Sequence, residues 1–244
     1  MEEKLSFYKE NGYVVVPDAL SGNEVETLNK VIDRDLEENE QFWIKKGDNG
    51  RLQNAHILLA HPEMDDTMRP PKLLPLMETI LGPDLCADEH SVMIRKAYPE
   101  GPTECRWHRD IGESREPPFY TQYLSVVFYL TDVDDTTHTF SVLPGTSQKT
   151  EFRTRKEEDL SKAVHITGAA GTAILYNAFI FHAGNVRNTN SERRTIHIYC
   201  SRATDACTSN YTIFPRRLWE GKDEATRKYY SRPSAITKML MDSF

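Results

Sequence analysis

Arg193-Arg194-Thr195-Ile196-His197-Ile198-Tyr199-Cys200-Ser201 is the stretch whose reading decides the fold. Read alternately, Arg193, Thr195, His197 and Tyr199 make one set; Arg194, Ile196, Ile198 and Cys200 make the other. Successive side chains of a β-strand point to opposite faces, so this is a strand with one polar and one mostly apolar face. A polar face inside a two-layer β fold is where a site lines up.

Working outward, Gly171 to His182 carries the apolar run Ile174 to Phe181 and reads as another strand. The polar segment Asn185 to Glu192 joins the two, which predicts a hairpin with His182 and Arg193 on neighbouring strands. Tyr123 to Thr131 is apolar and β-branched enough for a strand buried on both faces. Phe140 to Leu143, before the turn Pro144-Gly145-Thr146, is a short strand, and Leu85 to Tyr98 a long one. Cys105 to Ile111 reads as a further strand, Gly112 to Phe119 as a charged loop, and Thr150 to Ala163 as charged and exposed.

The N-terminal part is helical. Leu5 to Asn11 is a helix stopped by Gly12, and Tyr13-Val14-Val15-Val16 a strand stopped by Pro17. Ser21 and Glu24 have capping-box spacing ahead of Val25, Leu28, Ile32 and Leu36, so Gly22 to about Glu40 is an amphipathic helix. Residues 41 to 61 read as an irregular segment near a pocket mouth, Lys72 to Leu81 as a helix, and Ala235 to Met241 as another. Strands that follow helices without βαβ alternation predict a mainly β protein, a sandwich or jelly roll with helices packed on one sheet.

The chain has 244 residues, 39% hydrophobic and 27% charged, which suits one domain with a sizeable core. A net charge of −7 gives no support to nucleic-acid binding. No apolar run approaches the length of a membrane span, and Met1-Glu2-Glu3-Lys4 opens no signal peptide. Asp242-Ser243-Phe244 is not a peroxisomal tripeptide. Cys86, Cys105, Cys200 and Cys207 form no C-x-x-C pair and read as reduced thiols of a cytoplasmic protein.

His108 and Asp110 are two residues apart, so on a strand an imidazole and a carboxylate share a face. With His182 they offer two histidines and one carboxylate, the facial triad of non-haem Fe(II) oxygenases. A salt bridge or turn would also explain the first pair, and a core histidine bonded to a backbone carbonyl would explain His182. Arg193 and Arg194 both follow, and a guanidinium there suits a dicarboxylate, which it binds bidentately. The remaining histidines have no ligand-like spacing to one another, although His197 shares the parity of Arg193.

Five segments then form an ordered set. They are Phe7 to Pro17 (FYKENGYVVVP), Leu81-Gly82, Trp107-His108-Arg109-Asp110, Val142 to Ser147 (VLPGTS), and His182 with Arg193 eleven residues on. The set resembles the phytanoyl-CoA dioxygenase family of Fe(II)/2-oxoglutarate oxygenases, over residues 4 to 201. The resemblance implies a double-stranded β-helix (a cupin-like jelly roll) with helices packed on the major sheet. It implies one domain over residues 1–244, with a helical part to about 82, a core from 85 to 201 and an extension to 244. It assigns Fe(II) to His108, Asp110 and His182, and the C5 carboxylate of 2-oxoglutarate to Arg193. Arg95 becomes a second contact to the cosubstrate, with Lys96 the alternative at that spacing.

The implied reaction takes O2 and hydroxylates an unactivated C–H bond of a small molecule, releasing succinate and CO2. Acyl-CoA, amino-acid derivatives, phosphonates and secondary metabolites are the substrate classes of such relatives. Halogenating relatives carry a small residue in place of Asp110, so the carboxylate argues for hydroxylation, desaturation, cyclisation or peroxidation. Two departures fall on the substrate side: Gln148 follows Ser147 where the family often has histidine, and Thr137-His138-Thr139 replaces the usual Asn-Gly. A cupin-like metalloenzyme without 2-oxoglutarate, and a non-catalytic binding sandwich, are the alternatives.

Overall fold

The computed structural model describes residues 1–46, 50–101, 103–110, 121–148, 158–207, 209 and 212–241. Its strands are β1 (Tyr13–Val16), β2 (Ile44–Lys46), β3 (Arg51–Asn54), β4 (Leu85–Arg95), β5 (Glu104–Cys105), β6 (Tyr123–Tyr129), β7 (Thr139–Leu143), β8 (Val164–Ile166), β9 (Ala173–Asn177), β10 (Phe181–Val186) and β11 (Arg193–Arg202). They form a seven-stranded sheet, β1-β9-β6-β11-β4-β3-β2, and a four-stranded sheet, β5-β10-β7-β8, with every pairing antiparallel. This is the mainly β jelly roll that the sequence pattern implies.

Side-chain parity explains why there are two cores. On β6, Val126 and Phe128 join one apolar cluster while Val127 and Tyr129 join the other. On β9, Ala173 and Leu175 divide from Ile174 and Tyr176 in the same way. The first cluster lies under the helices α1 (Glu2–Asn11), α2 (Gly22–Glu38), α3 (Ile57–Ala60), α4 (Asp65–Met68) and α5 (Leu74–Leu81). It also takes Phe214, Leu218, Tyr229 and Tyr230 from the C-terminal segment, which holds α6 (Glu224–Tyr229) and α7 (Ala235–Leu240). The second cluster fills the space between the sheets beside the polar face of β11.

The local signals at the N-terminus hold. Gly12 caps α1 at φ 81°, which favours glycine by conformation, and a Cβ there would stand 2.3 Å from Ser147 Oγ and displace that hydroxyl. Ser21 Oγ accepts from the Glu24 amide, and Glu24 accepts from the Ser21 amide at 2.7 Å, completing the box that starts α2. Asp35 also sits on the buried face of α2, with only 1% of its surface exposed. It accepts from Trp43 Nε1, Asn54 Nδ2, Asn39 Nδ2 and His61 Nε2 at 2.7–2.8 Å. A carboxylate can be buried at that depth because every bond it needs is made. The network ties α2 to β3.

Several expectations change. Residues 41 to 61 are not irregular: β2 and β3 extend the large sheet, and residues 47–49 between them lie outside the described residues. The expected helix from Lys72 begins at Leu74, after a turn. Of the expected strand Cys105 to Ile111, Cys105 is the only regular strand residue among those described, at the end of β5, with His108 in an isolated bridge; Ile111 lies outside the described residues. The expected run Gly171 to His182 is two strands, because the chain turns at Ala178 and Phe179. The Asn177 side chain accepts from the Phe179 amide and the Ile180 amide bonds Asn177 O, which fixes the corner. β9 and β10 consequently lie in different sheets, and β10 and β11 are not a hairpin. The exposed stretch expected from Thr150 includes Glu158, which is buried on Arg109; residues 149–157 and the loop Gly112 to Phe119 lie outside the described residues. The four cysteines are free thiols, as expected.

Candidate active site

The segment Trp107 to Asp110 keeps strand parity without being a strand. His108 and His182 exchange both backbone hydrogen bonds at 2.9 Å, and the Asp110 amide donates to Ala178 O at 3.0 Å. Trp107 stacks on Phe181 at 5.6 Å between centroids. The Arg109 guanidinium lies over Phe181 and Phe179 and pairs with Glu158. The odd residues are thus anchored on one side and the even ones, His108 and Asp110, are turned to the other.

There His108, Asp110 and His182 converge. Their ligand atoms lie within 4.8 Å of one another, and each Nε2 is 3.5 Å from Asp110 Oδ1. His182 is buried and its neighbour His108 is 53% exposed at the side chain, so the group opens on one side. His108 Nδ1 donates to Arg106 O at 2.9 Å and His182 Nδ1 to Ile180 O at 3.0 Å. Both rings are therefore held in the tautomer that leaves Nε2 with a free lone pair. The backbone bond of a core histidine is present at His182; here it serves to aim the other nitrogen.

Asp110 is oriented from behind. Tyr199 OH donates to its Oδ2 at 2.8 Å and Tyr176 OH at 3.2 Å, which leaves Oδ1 for the histidines. Burial works against the charge of Asp110, but the imidazoles of His182 and His108 in their protonated form, with the hydrogen bond from Tyr199, outweigh it and hold the carboxyl well below its ordinary range. In the neutral tautomer the same two Nε2 atoms face Asp110 as lone pairs, and a cation would take the place of the protons. Two neutral imidazole nitrogens and one carboxylate oxygen, each fixed by a hydrogen bond to its other atom, are a donor set that fits Fe(II).

A cavity of about 220 Å³ leads away from this group, between the two sheets. The polar face of β11 lines it: Arg193, Thr195, His197 and Tyr199. β4 lies antiparallel to β11 with Arg95 opposite Arg193 and Met93 opposite Thr195, and both line the cavity. β10 brings His182 and Gly184 from the facing sheet. His182 and Arg193 therefore meet across the sandwich rather than along one sheet. A Cβ on Gly184 would stand 3.8 Å from Arg193 Nη2 and 3.9 Å from Arg95 Nη2, so a larger residue would fill the space before both guanidiniums.

Arg193 is buried, and its Nε and Nη1 have no hydrogen-bond partner among the described residues. Burial pushes its pKa down. Orphaned guanidinium donors facing a cavity fit the far carboxylate of 2-oxoglutarate. Arg194 points to the helical side and pairs with Asp33 and Glu192 at 2.7 Å, while Lys96 pairs with Glu192 at 2.8 Å. Neither lines the cavity.

Tyr199, Tyr176 and Arg51 are among the lining residues to which sequence reading gave no role. Tyr199 stood on the polar face of β11 but carried no role, Tyr176 belonged to an apolar run, and Arg51 fell in a segment read as irregular. Parity with Arg193 was the signal available for Tyr199. No local signal marked the other two, since their place depends on strand pairing.

The sequence pattern of the phytanoyl-CoA dioxygenase (PhyH) family matches residues 8–195. No curated protein matches the chain. Among solved structures, HygX from Streptomyces hygroscopicus with nickel and 2-oxoglutarate bound superposes with a TM-score of 0.71 at 15% identity, over 85% of this chain and 89% of that one. The epimerase SnoN, in complex with Fe3+, alpha ketoglutarate and nogalamycin RO, gives 0.69 at 21% identity, over 83% and 84%. The non-heme alpha ketoglutarate dependent carbocyclase SnoK from nogalamycin biosynthesis gives 0.69 at 20% identity, also over 83% and 84%. At these identities the likeness is one of fold.

Proposed function

The chain belongs to the phytanoyl-CoA dioxygenase family of Fe(II)- and 2-oxoglutarate-dependent oxygenases, and from that premise we propose that it hydroxylates an unactivated C–H bond of a small molecule. The observation that carries the reading is the convergence of His108 Nε2, Asp110 Oδ1 and His182 Nε2, with the second atom of each group already bonded. These three side chains would hold the iron. When bound, Fe(II) with 2-oxoglutarate and O2 supplies the oxidation, and the cosubstrate leaves as succinate and CO2.

The residues of the chain have separate tasks in this reading. Arg193 binds the C5 carboxylate of 2-oxoglutarate, and Arg95, opposite it on β4, flanks the same group. Tyr199 and Tyr176 keep Asp110 in one orientation, so that a single oxygen faces the metal. Phe140 and Met93 cover part of the cavity wall and limit water there. The half-exposed side of His108 leaves room for the substrate to approach. Residues 1–244 act as one domain, in the cytoplasm.

The test is metal content and turnover. Protein purified without chelator and loaded with Fe(II) anaerobically should bind one equivalent, and should consume O2 and form succinate only when 2-oxoglutarate is present. A protein that binds no iron, or whose O2 uptake ignores 2-oxoglutarate, refutes the proposal. The non-catalytic sandwich predicts the first result, and a cupin-like enzyme without 2-oxoglutarate predicts the second. Product analysis with 18O2 then distinguishes hydroxylation from desaturation or cyclisation: succinate takes one labelled atom in each case, and of the three only hydroxylation places the other in the oxidised substrate.

A further inference from the structure

We propose that Arg51 forms a second oxyanion subsite of the cavity, separate from the one that takes 2-oxoglutarate, and that the substrate carries a carboxylate or phosphate group bound there. The inference rests on the iron and 2-oxoglutarate reading above and adds the substrate class to it.

Arg51, Arg95 and Arg193 stand opposite one another on β3, β4 and β11. Directly opposed residues of antiparallel strands share a face, and all three line the cavity. Like charges so placed repel each other unless anions lie among them. One dicarboxylate accounts for Arg193 and its neighbour Arg95, which both border Gly184. It leaves Arg51, one strand further out.

No carboxylate pairs with Arg51 among the described residues; Glu104 pairs with Arg106 and favours the charge of Arg95, not that of Arg51. Burial and the charge of Arg106 both work against the charged guanidinium, so an anion there would relieve a standing cost. Arg51 and the half-exposed His108 line the same cavity, so an anion held by Arg51 would place the rest of its molecule beside the open side of the triad. The strand under Arg51 is fixed by Asn54, which donates to the buried Asp35. The guanidinium therefore projects from a rigid base, as a binding group should.

The neighbouring row is apolar in part. Met93 of β4 lines the cavity and lies opposite Gln53, which lies opposite Ile44 on β2. Ile44 is 55% exposed on that face. The substrate would then carry an apolar portion next to its anionic group.

The experiment uses Mn(II)-loaded protein saturated with 2-oxoglutarate, with inorganic phosphate and [1-13C]acetate as separate probes. Mn(II) broadens the 31P or 13C signal of an anion held nearby. The wild type should give saturable broadening, and the probe with the lower half-saturation tells phosphate from carboxylate as the natural group. Arg51→Met should weaken that binding by about tenfold or more, and leave the affinity for 2-oxoglutarate, measured by calorimetry, within about twofold. Arg51→Lys should keep part of the probe binding. Equal probe binding by Arg51→Met and wild type would overturn the proposal, and so would a loss of 2-oxoglutarate affinity in that variant, which would assign Arg51 to the cosubstrate. If the wild type bound neither Mn(II) nor 2-oxoglutarate, the iron reading itself would fall.

Discussion

Replacing Arg193 by methionine should act in opposite directions with and without 2-oxoglutarate. In the free protein the guanidinium is buried, and Nε and Nη1 lack partners among the described residues. Methionine fills much of the same volume without a charge to desolvate. Such exchanges range from neutral to a stabilisation of about 1–4 kcal/mol, so the free variant should be at least as stable as the wild type. With the ligand the sign reverses. Removing one side of a buried, hydrogen-bonded charge pair costs about 2–5 kcal/mol, which is a loss of about thirtyfold to several thousandfold in affinity. At a concentration a hundredfold above its Kd, 2-oxoglutarate stabilises the wild type by about 2.7 kcal/mol, and the variant by less than about 1 kcal/mol. For a chain of this size the wild-type increment is a Tm rise of about 5–11 °C. Thermal denaturation of the Mn(II)-loaded proteins, with calorimetry of 2-oxoglutarate binding, measures both arms. A free variant clearly less stable than the wild type, or one protected equally by 2-oxoglutarate, would refute the reasoning that this cation is held ready for a carboxylate.

Other substitutions probe the surroundings of the site. His108→Ala should abolish Mn(II) binding, seen by electron paramagnetic resonance, yet cost under about 1 kcal/mol of stability, because the side chain is half-exposed. Tyr199→Phe removes the 2.8 Å bond to Asp110 Oδ2 and should lower metal affinity by about tenfold or more; Tyr176→Phe, at 3.2 Å, should lower it less. Asp35→Ala strands the Trp43, Asn54 and His61 donors in the interior and should cost more than about 3 kcal/mol in urea denaturation, and unchanged stability would show the network to be idle. Acid should destabilise the protein through its buried histidines. Burial pushes His90 and His197 down to about 3, below the value of about 6.5 in the unfolded chain. The unfolded state then binds more protons between those values, so stability is intact above pH of about 6.5 and falls as the pH drops toward 3. Each such histidine adds a slope of up to about 1.4 kcal/mol per pH unit. His90→Gln should remove one proton from the measured slope, and an unchanged slope would contradict the assignment.

Much of this arrangement was legible before folding, where the information is local. The capping box at Ser21 and the glycine stop at Gly12 depend on a few adjacent residues, and both form as read. The alternation in Arg193 to Ser201 separates Arg193 from Arg194 by parity alone, and the structure turns the two to opposite sides of the sheet. The two-residue spacing of His108 and Asp110 orients both the same way even though the regular strand there is short.

Tertiary structure decided what depends on strand pairing. The corner at Asn177 to Ile180 breaks an apolar run that periodicity reads as one strand, since turn and strand can share the same hydrophobic residues. That corner sends His182 to the opposite sheet, and so makes Arg193 its partner across a cavity instead of along a hairpin. Tyr176 and Arg51 join the site for the same kind of reason. The sequence by itself determined which residue types alternate and which atoms could act. Which of them meet was set by the register of β3, β4 and β11 and by the crossing between sheets, because contacts between distant segments follow from pairing and packing of the whole chain rather than from any stretch alone.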